Sequence, residues 1–260
     1  MKTVLSIAGT DPTGGAGIQA DLKTIEAHGL FGMSVITVVI AQNTTGVFAM
    51  QPISASLVEK QIDCVFNDIR PDAVKLGMLY DTEIIHTTAK RLHAHHAQNI
   101  VLDPVMMSSS GHDLLRPDAA KALIEEIFPL CTLLTPNLAE AAALSGSNIS
   151  TKAQMEQAAK QIAAKTGSAV LVKGGHLSDC ADDLLFTEKQ MHWLPATRIN
   201  NPNTHGTGCT LSSAIACGLA QGLSLTGSVK RAKRYLTACI QYGLDLGHGS
   251  GPLQHKVKWE

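Results

Sequence analysis

The chain has 260 residues, 45% of them hydrophobic but only 4% aromatic, and a formal net charge of -1. Near-neutrality excludes a strong electrostatic draw toward nucleic acid or an anionic membrane, and no apolar run reaches the length of a bilayer span. A core so poor in aromatics must be built from Ala, Val, Ile and Leu, the composition of parallel sheets covered by helices.

Residues 3–7 form a short apolar run one residue after Lys2, which leaves no room for a targeting peptide. Six scattered cysteines (Cys64, Cys131, Cys180, Cys209, Cys217 and Cys239) show no C-x-x-C pair and no secretory leader. They point to free thiols in a reducing compartment, so the protein is expected in the cytoplasm. A turn-forming loop over residues 8–17 follows the first strand, and a helix then carries Ile18, Leu22 and Ile25 on one stripe. Asp21 falls on that stripe and needs a partner. Either it caps or pairs locally, or, the preferred reading, it hydrogen-bonds a polar ligand over the sheet edge.

Gly15, Gly17 and Ala20 fit the G-x-G-x-x-A form of the dinucleotide fingerprint only loosely. A loop separates them from the strand, and the second strand ends in Ala41-Gln42 where that fingerprint needs an acid. No G-K-[ST] closes the glycine loop as a Walker A motif. Residues 34–40 read as one continuous β-branched strand buried on both faces, with Gln42-Asn43-Thr44 at its end. Ser56 to Glu59 in sequence reads as a capping box opening a helix with Leu57, Val58, Ile62, Val65 and Phe66 inward. A strand over 72–76 ends in Gly77-Met78, and a helix spans 82–96. His93, His95 and His96 at its end diverge, which suits a solvated or cationic C-terminus better than a metal site.

The strand-helix alternation continues. Residues 100–105 are a strand ending at Asp103, followed by the glycine loop with Ser110, Gly111 and His112 and a helix from Pro117 to Phe128. Residues 132–137 are a strand with Glu140 in the next helix; Thr151 and Gln154 cap a further helix; residues 169–176 are a strand running into Lys173 and His176. Such alternation predicts a mostly parallel sheet with helices on both faces. Residues 183–187 and 190–195, around Glu188-Lys189, predict an antiparallel hairpin at the edge of that sheet. Two helices close the chain, the second over 225–245. No linker interrupts the pattern, so residues 1–260 are expected to form a single domain.

The first of these closing helices opens on Asn203-Thr204-His205-Gly206-Thr207-Gly208-Cys209-Thr210. Unpaired N–H groups and the positive end of the helix dipole make such a start an anion site, and Gly206 and Gly208 lack the Cβ that would keep oxygens away. Cys209 in the first turn is expected to have a lowered thiol pKa. An alternative is a glycine-eased turn with a buried cysteine. In open parallel sheets ligands bind beyond the carboxyl ends of the strands, which gathers residues 9–11, 42–43, 77–78, Asp103, 135–137, 173–176 and the Cys209 motif on one rim. Two carboxylates, Asp103 and Glu140, beside an anion site and Lys173 suit a magnesium nucleotide, and hence phosphoryl transfer.

The stretches Gly9-Thr10-Asp11-Pro12, Gly14 through Asp21, Ala41-Gln42-Asn43-Thr44, Asp103-Pro104-Val105-Met106, Thr135-Pro136-Asn137, Val172-Lys173-Gly174-Gly175-His176 and 203–210 together resemble the motif set of the hydroxymethylpyrimidine/phosphomethylpyrimidine kinases, a thiamine-biosynthesis family of the ribokinase-like superfamily. The resemblance spans nearly the whole chain. It implies a ribokinase-like three-layer α/β sandwich without a separate lid domain, a homodimer, and two successive ATP-dependent transfers, first to the hydroxymethyl group of 4-amino-5-hydroxymethyl-2-methylpyrimidine and then to the monophosphate. It places Gly9 with the substrate, Gln42 on the ring edge, Asp21 on the ring amine, and Met78 and Val105 on the ring faces. Asn137, Lys173 and Thr207 would bind ATP, Asp103 and Glu140 would hold Mg2+, and Gly206, Gly208, Cys209 and Lys173 would act on the migrating phosphoryl group. The sugar kinases of the superfamily carry an aspartate base where this chain and the resembled family have cysteine. Rival readings are a pyridoxal/pyridoxine kinase of the same superfamily and a non-catalytic nucleotide- or pyrimidine-binding protein.

Overall fold

A computed structural model describes residues 1–105, 115–116, 118–175 and 181–259. Met106, the Ser110-Gly111-His112 loop, Pro117, His176 and Cys180 lie outside the described residues. The chain builds strand β1 (Thr3–Ala8), helix α1 (Gly17–Ala27), β2 (Phe31–Ile36), β3 (Val38–Asn43), β4 (Gly46–Pro52), α2 (Ala55–Asp68), β5 (Ala73–Leu76), α3 (Thr82–Ala94) and β6 (Ile100–Leu102). Helix α4 (Ala119–Ala122) then runs into a π turn and a 3-10 turn, followed by β7 (Leu133–Leu134), α5 (Leu138–Ser145), α6 (Lys152–Thr166) and β8 (Ala169–Val172). The hairpin β9 (Asp183–Thr187) and β10 (Gln190–Leu194) precedes α7 (Thr207–Ala220) and α8 (Leu225–Gln241).

Eight strands form one sheet in the order β10-β9-β8-β7-β6-β5-β1-β2. Strands β2, β1, β5, β6, β7 and β8 are parallel, and the hairpin adds antiparallel at the edge. Its turn residues Glu188 and Lys189 both take positive φ, 51° and 61°, as a tight two-residue hairpin demands. Side chains alternate along each strand and so feed two cores. Val74, Leu76, Leu102, Leu134 and Val172 pack under α2, α3, α5 and α6, whereas Ala73, Val101, Leu133 and Leu171 pack under α7 and α8. This is the three-layer α/β sandwich expected from the sequence. Among the described residues no helix is long and apolar enough to cross a membrane.

The run 34–40 is not one strand. It breaks at the buried Thr37, whose N–H donates to Ala8 O and whose Oγ1 donates to Met78 O, while its own carbonyl accepts from Ile53 N–H. Strand β3 then leaves the main sheet and pairs with β4, a strand the sequence reading missed. Val38 and Ile40 face inward and Val39 is half-exposed, so β3 is a one-sided strand. A β-branched run reads alike for one doubly buried strand and for two strands that change sheet.

Helix α2 starts at Ala55 behind Ser54, with no side-chain cap, and Leu57 is exposed, so the capping box expected from Ser56 to Glu59 does not form. Thr151 and Gln154 do form one on α6. Helix α8 stops at Gln241, short of residue 245.

Candidate active site

Helix α7 opens with Gly206 as its N-cap at φ +81°, and a Cβ there would fall 1.8 Å from Gly15 O, so both conformation and contact require glycine. Among the described residues the N–H groups of Gly206, Gly208 and Cys209 donate to no backbone acceptor. Gly208 lies against Asp103 and Lys173. A Cβ on Gly208 would lie 2.8 Å from Asp103 Oδ2 and 3.3 Å from Lys173 Nζ. Lys173 Nζ donates to Asp103 Oδ1 at 2.7 Å, and Thr135 Oγ1 donates to that oxygen at 3.3 Å. Burial alone would lower the Lys173 pKa, but the Asp103 and Glu140 carboxylates raise it further, so the ammonium stays charged.

Asn137 caps α5 and pairs with Lys173 in a parallel bridge that extends the β7–β8 rim. Its N–H donates to Glu140 Oε2 at 2.8 Å, and its Oδ1 accepts from Glu140 N–H at 2.9 Å. Glu140 therefore closes a capping box while its charge reaches Lys173. Thr207, the first residue of α7, is half-buried. This end of the rim combines a helix start, a fixed ammonium and two carboxylates, the elements that handle a charged phosphate.

The other end is less polar. A Cβ on Gly9 would meet Ile40 Cδ1 at 3.2 Å and Met78 Sδ at 3.4 Å, so the loop after β1 lies on a small apolar cluster of Val38, Ile40 and Met78. The β3–β4 register shifts between Ala41 and Gln42, and such a bulge re-aims a side chain. Gln42 Nε2 comes 3.5 Å from Thr10 O, which brings Gln42 to the same loop. Val105, half-buried, follows Asp103 by two residues on the neighbouring strand end.

The two ends are tied by pairings that the sequence reading did not identify. Asp11 Oδ2 accepts from the N–H groups of Gly15 and Ala16 and lies 3.0 Å from His205 Nε2, so one carboxylate pins the glycine loop to the loop that opens α7. Burial alone would raise the Asp11 pKa, but His205, Thr13 and Ala16 outweigh it and bring it down to about 2. Lys75 is fully buried and donates to Asp21 Oδ2 at 2.8 Å; Ser6 Oγ and Ser213 Oγ also donate to that carboxylate. Asp21 thus has three protein donors and no exposed surface, and since they lie 15, 54 and 192 residues away it pairs across the fold and not locally. The signal was legible in principle: a lysine inside the apolar run Ala73-Val74-Lys75-Leu76 and an acid on an apolar helix stripe are complementary anomalies.

Cys209 differs from its expectation. Burial pushes its thiol up to about 11, with Asp21 and Asp103 adding to the rise and Lys75 and the Gly17 N–H opposing it. Desolvation of the charged form is the largest of these effects, so the thiol is raised where a lowered value was expected. Of the histidines ending α3, His95 lies 2.7 Å from Asp63 Oδ1 and stacks on Phe66, which gives it a structural role.

The family model for phosphomethylpyrimidine kinase matches residues 11–254. A hydroxymethylpyrimidine/phosphomethylpyrimidine kinase of Rhizobium meliloti (strain 1021) is 51% identical over 259 residues, 98% of this chain and 97% of that one. The crystal structure of a phosphomethylpyrimidine kinase from Clostridium difficile 630 superposes with a TM-score of 0.82 at 42% identity, over 91% of this chain and 98% of the other. A pyridoxal kinase of Bacillus subtilis in an ADP complex superposes with a TM-score of 0.91 at 37% identity, over 99% and 98%. With a sandwich of this topology and agreement along nearly its whole length, the chain belongs to the phosphomethylpyrimidine kinase family.

Proposed function

We propose that the protein is an ATP-dependent kinase of thiamine biosynthesis that phosphorylates 4-amino-5-hydroxymethyl-2-methylpyrimidine to its monophosphate and then to its diphosphate at one site, within a single domain. The observation that carries this reading is the convergence of the α7 start with Asp103 and Lys173, next to the apolar patch of Gly9, Ile40 and Met78 with Gln42 beside it. In the first step the hydroxymethyl oxygen bonds to the γ-phosphorus as the bond to the leaving ADP oxygen breaks, and the hydroxyl proton passes to an oxygen of the transferred phosphoryl group and then to water. In the second, a phosphate oxygen of the monophosphate takes the place of the alcohol.

Lys173 and the N–H groups of Gly206, Gly208 and Cys209 neutralise charge on the migrating group, with Asn137 and Thr207 at the nucleotide side. Gln42 supplies an amide donor and acceptor to the ring edge, and Met78 and Val105 supply apolar contact to its faces. Asp21 is held by Lys75, Ser6 and Ser213 rather than by the ring. The neutral Cys209 thiol fills space in the first turn of α7, and the amides around it do the work.

Asp103 and Glu140 are the residues that would hold Mg2+. No group of three or more metal-binding side chains occurs among the described residues, and two carboxylates flanking a phosphate site suit an ion that draws its other ligands from phosphate oxygens and water. When bound, the ion supplies further charge neutralisation to the phosphates. The free thiols of Cys64, Cys131, Cys209, Cys217 and Cys239 fit a reducing compartment, the cytoplasm.

The likeness to a pyridoxal kinase favours one second activity, since pyridoxal also presents a hydroxymethyl group on a flat heteroaromatic ring. A binding protein without turnover would have no use for the α7 start poised on Asp103 and Lys173. Incubation with the pyrimidine alcohol and ATP-magnesium, with products separated by anion exchange, tests the proposal: monophosphate followed by diphosphate supports it, and monophosphate that never converts, or no product, refutes it.

A further inference from the structure

Lys75 is a full positive charge with no exposed surface, and phosphoryl transfer as described above does not use it. The period of two along β5 turns Val74 and Leu76 to one layer, so Lys75 projects to the opposite layer, beneath α1 and α7. There it meets the equally buried Asp21 at 2.8 Å, while Ser6 Oγ at 2.6 Å and Ser213 Oγ at 2.8 Å complete the carboxylate. The four side chains come from β1, α1, β5 and α7. These are the elements whose ends carry Gly9, Gly17, Gly77 and Cys209.

Ser213 lies four residues beyond Cys209, hence on the same face of α7 one turn deeper. The network therefore grips α7 directly below the anion site. On the sheet side a Cβ on Gly77 would fall 2.8 Å from Lys75 Nζ, which puts the ammonium immediately beneath the rim backbone next to Met78. A buried ion pair contributes little to stability, because desolvating both charges offsets their attraction and apolar residues of like volume often serve as well. What it supplies that apolar residues do not is direction: hydrogen bonds of fixed geometry joining four elements, and a fixed charge that is felt at Cys209.

We propose that Lys75, acting through Asp21 and Ser213, is a positioning residue that sets the register of the first turn of α7 against the rim at Gly9 and Met78, and so the gap between the migrating phosphoryl group and its acceptor. This rests on the assignment of the α7 start to the phosphoryl group.

The test uses two variants of the full chain, Lys75→Met/Asp21→Leu and Ser213→Ala. The first exchanges the pair for apolar side chains, and the second removes only the bond to α7. Both are expected to lower kcat, the double variant by about tenfold or more and Ser213→Ala severalfold, with KM for ATP within about twofold of wild type, since small misplacements are costly in rate. Hydrogen exchange at the amides of Thr210 and Leu211, which does not depend on the acceptor's identity, is expected to quicken in both. A pair that merely stabilises the fold would lower the melting temperature and leave kcat of the folded enzyme unchanged. Wild-type kcat in Ser213→Ala, or unchanged exchange at Thr210 in that variant, overturns the proposal even if the double variant does not fold. If wild type itself shows no turnover, the functional reading fails and the exchange rates alone decide the role of Lys75.

Discussion

Replacing Gly208 by alanine separates folding from catalysis. The added methyl would sit 2.8 Å from Asp103 Oδ2 and 3.3 Å from Lys173 Nζ. Neither neighbour retreats easily, because Lys173 and Asp103 hold each other at 2.7 Å and Thr135 holds Asp103 from behind at 3.3 Å. Crowding of this kind costs about 1–3 kcal/mol. Alanine in a helix returns up to about 1 kcal/mol relative to glycine, so the net loss is about 0–3 kcal/mol, or roughly 0–12 °C in Tm for a chain of this size.

Turnover should suffer far more, since the methyl occupies the space beside Asp103 and Lys173 that the proposed function assigns to the γ-phosphoryl group. Removing one such donor typically lowers kcat by about 10²–10³. Calorimetry and product chromatography on the same preparation check both halves. A Gly208→Ala enzyme that keeps kcat within about threefold of wild type would show that the phosphoryl group passes elsewhere. Gly206→Ala is the contrasting control: its Cβ meets Gly15 O at 1.8 Å at a positive φ, so it should lose stability and activity together.

Because burial holds the Cys209 thiol near 11, Cys209→Ala should lower both phosphorylations alike and by about tenfold or less, whereas loss of a general base would slow the alcohol step alone by about 10²–10⁴; each step is timed separately. Gln42→Ala should cost about 1–3 kcal/mol in pyrimidine binding and spare ATP, as titration calorimetry with each ligand would show; equal losses would remove Gln42 from the ring edge. Glu140→Gln keeps the capping box and removes only charge, so its Tm should hold while the magnesium concentration for half-maximal rate rises, and Asp103→Asn should raise it as well; unchanged metal dependence in both makes these residues structural. Asp11 has a folded pKa near 2 against 3.8 for the free side chain, so its contribution of about 2 kcal/mol is present above pH 4 and lost as pH falls toward 2; Asp11→Asn should flatten that acid limb of the Tm profile.

The layers and the edge hairpin were legible because period-two apolar runs and capping signals such as Thr151 with Gln154 report local chemistry. The break at Thr37 was not, since what ends β2 there is a set of long-range bonds to Ala8, Met78 and Ile53 that leave no local trace. The rim residues could be read because strand ends locate ligands in open parallel sheets. The Asp11–His205 and Asp21–Lys75 pairs span 194 and 54 residues, and one sequence carries the need for such partners but not their identity. Cys209 shows the limit of motif reasoning: its place in a first turn was correctly read, yet the sign of its pKa shift depends on burial, a property of the packed α1, β5 and α7 layer.

The central claim is that this site phosphorylates a hydroxymethylpyrimidine in preference to the pyridine analogue. Its most direct test is kcat/KM for the pyrimidine alcohol and for pyridoxal, measured side by side with ATP-magnesium on one preparation. A ratio of about tenfold or more in favour of the pyrimidine is expected, the discrimination that follows when Gln42 pairs with one ring edge and not the other. A ratio at or below one would contradict it and make the protein a pyridoxal kinase.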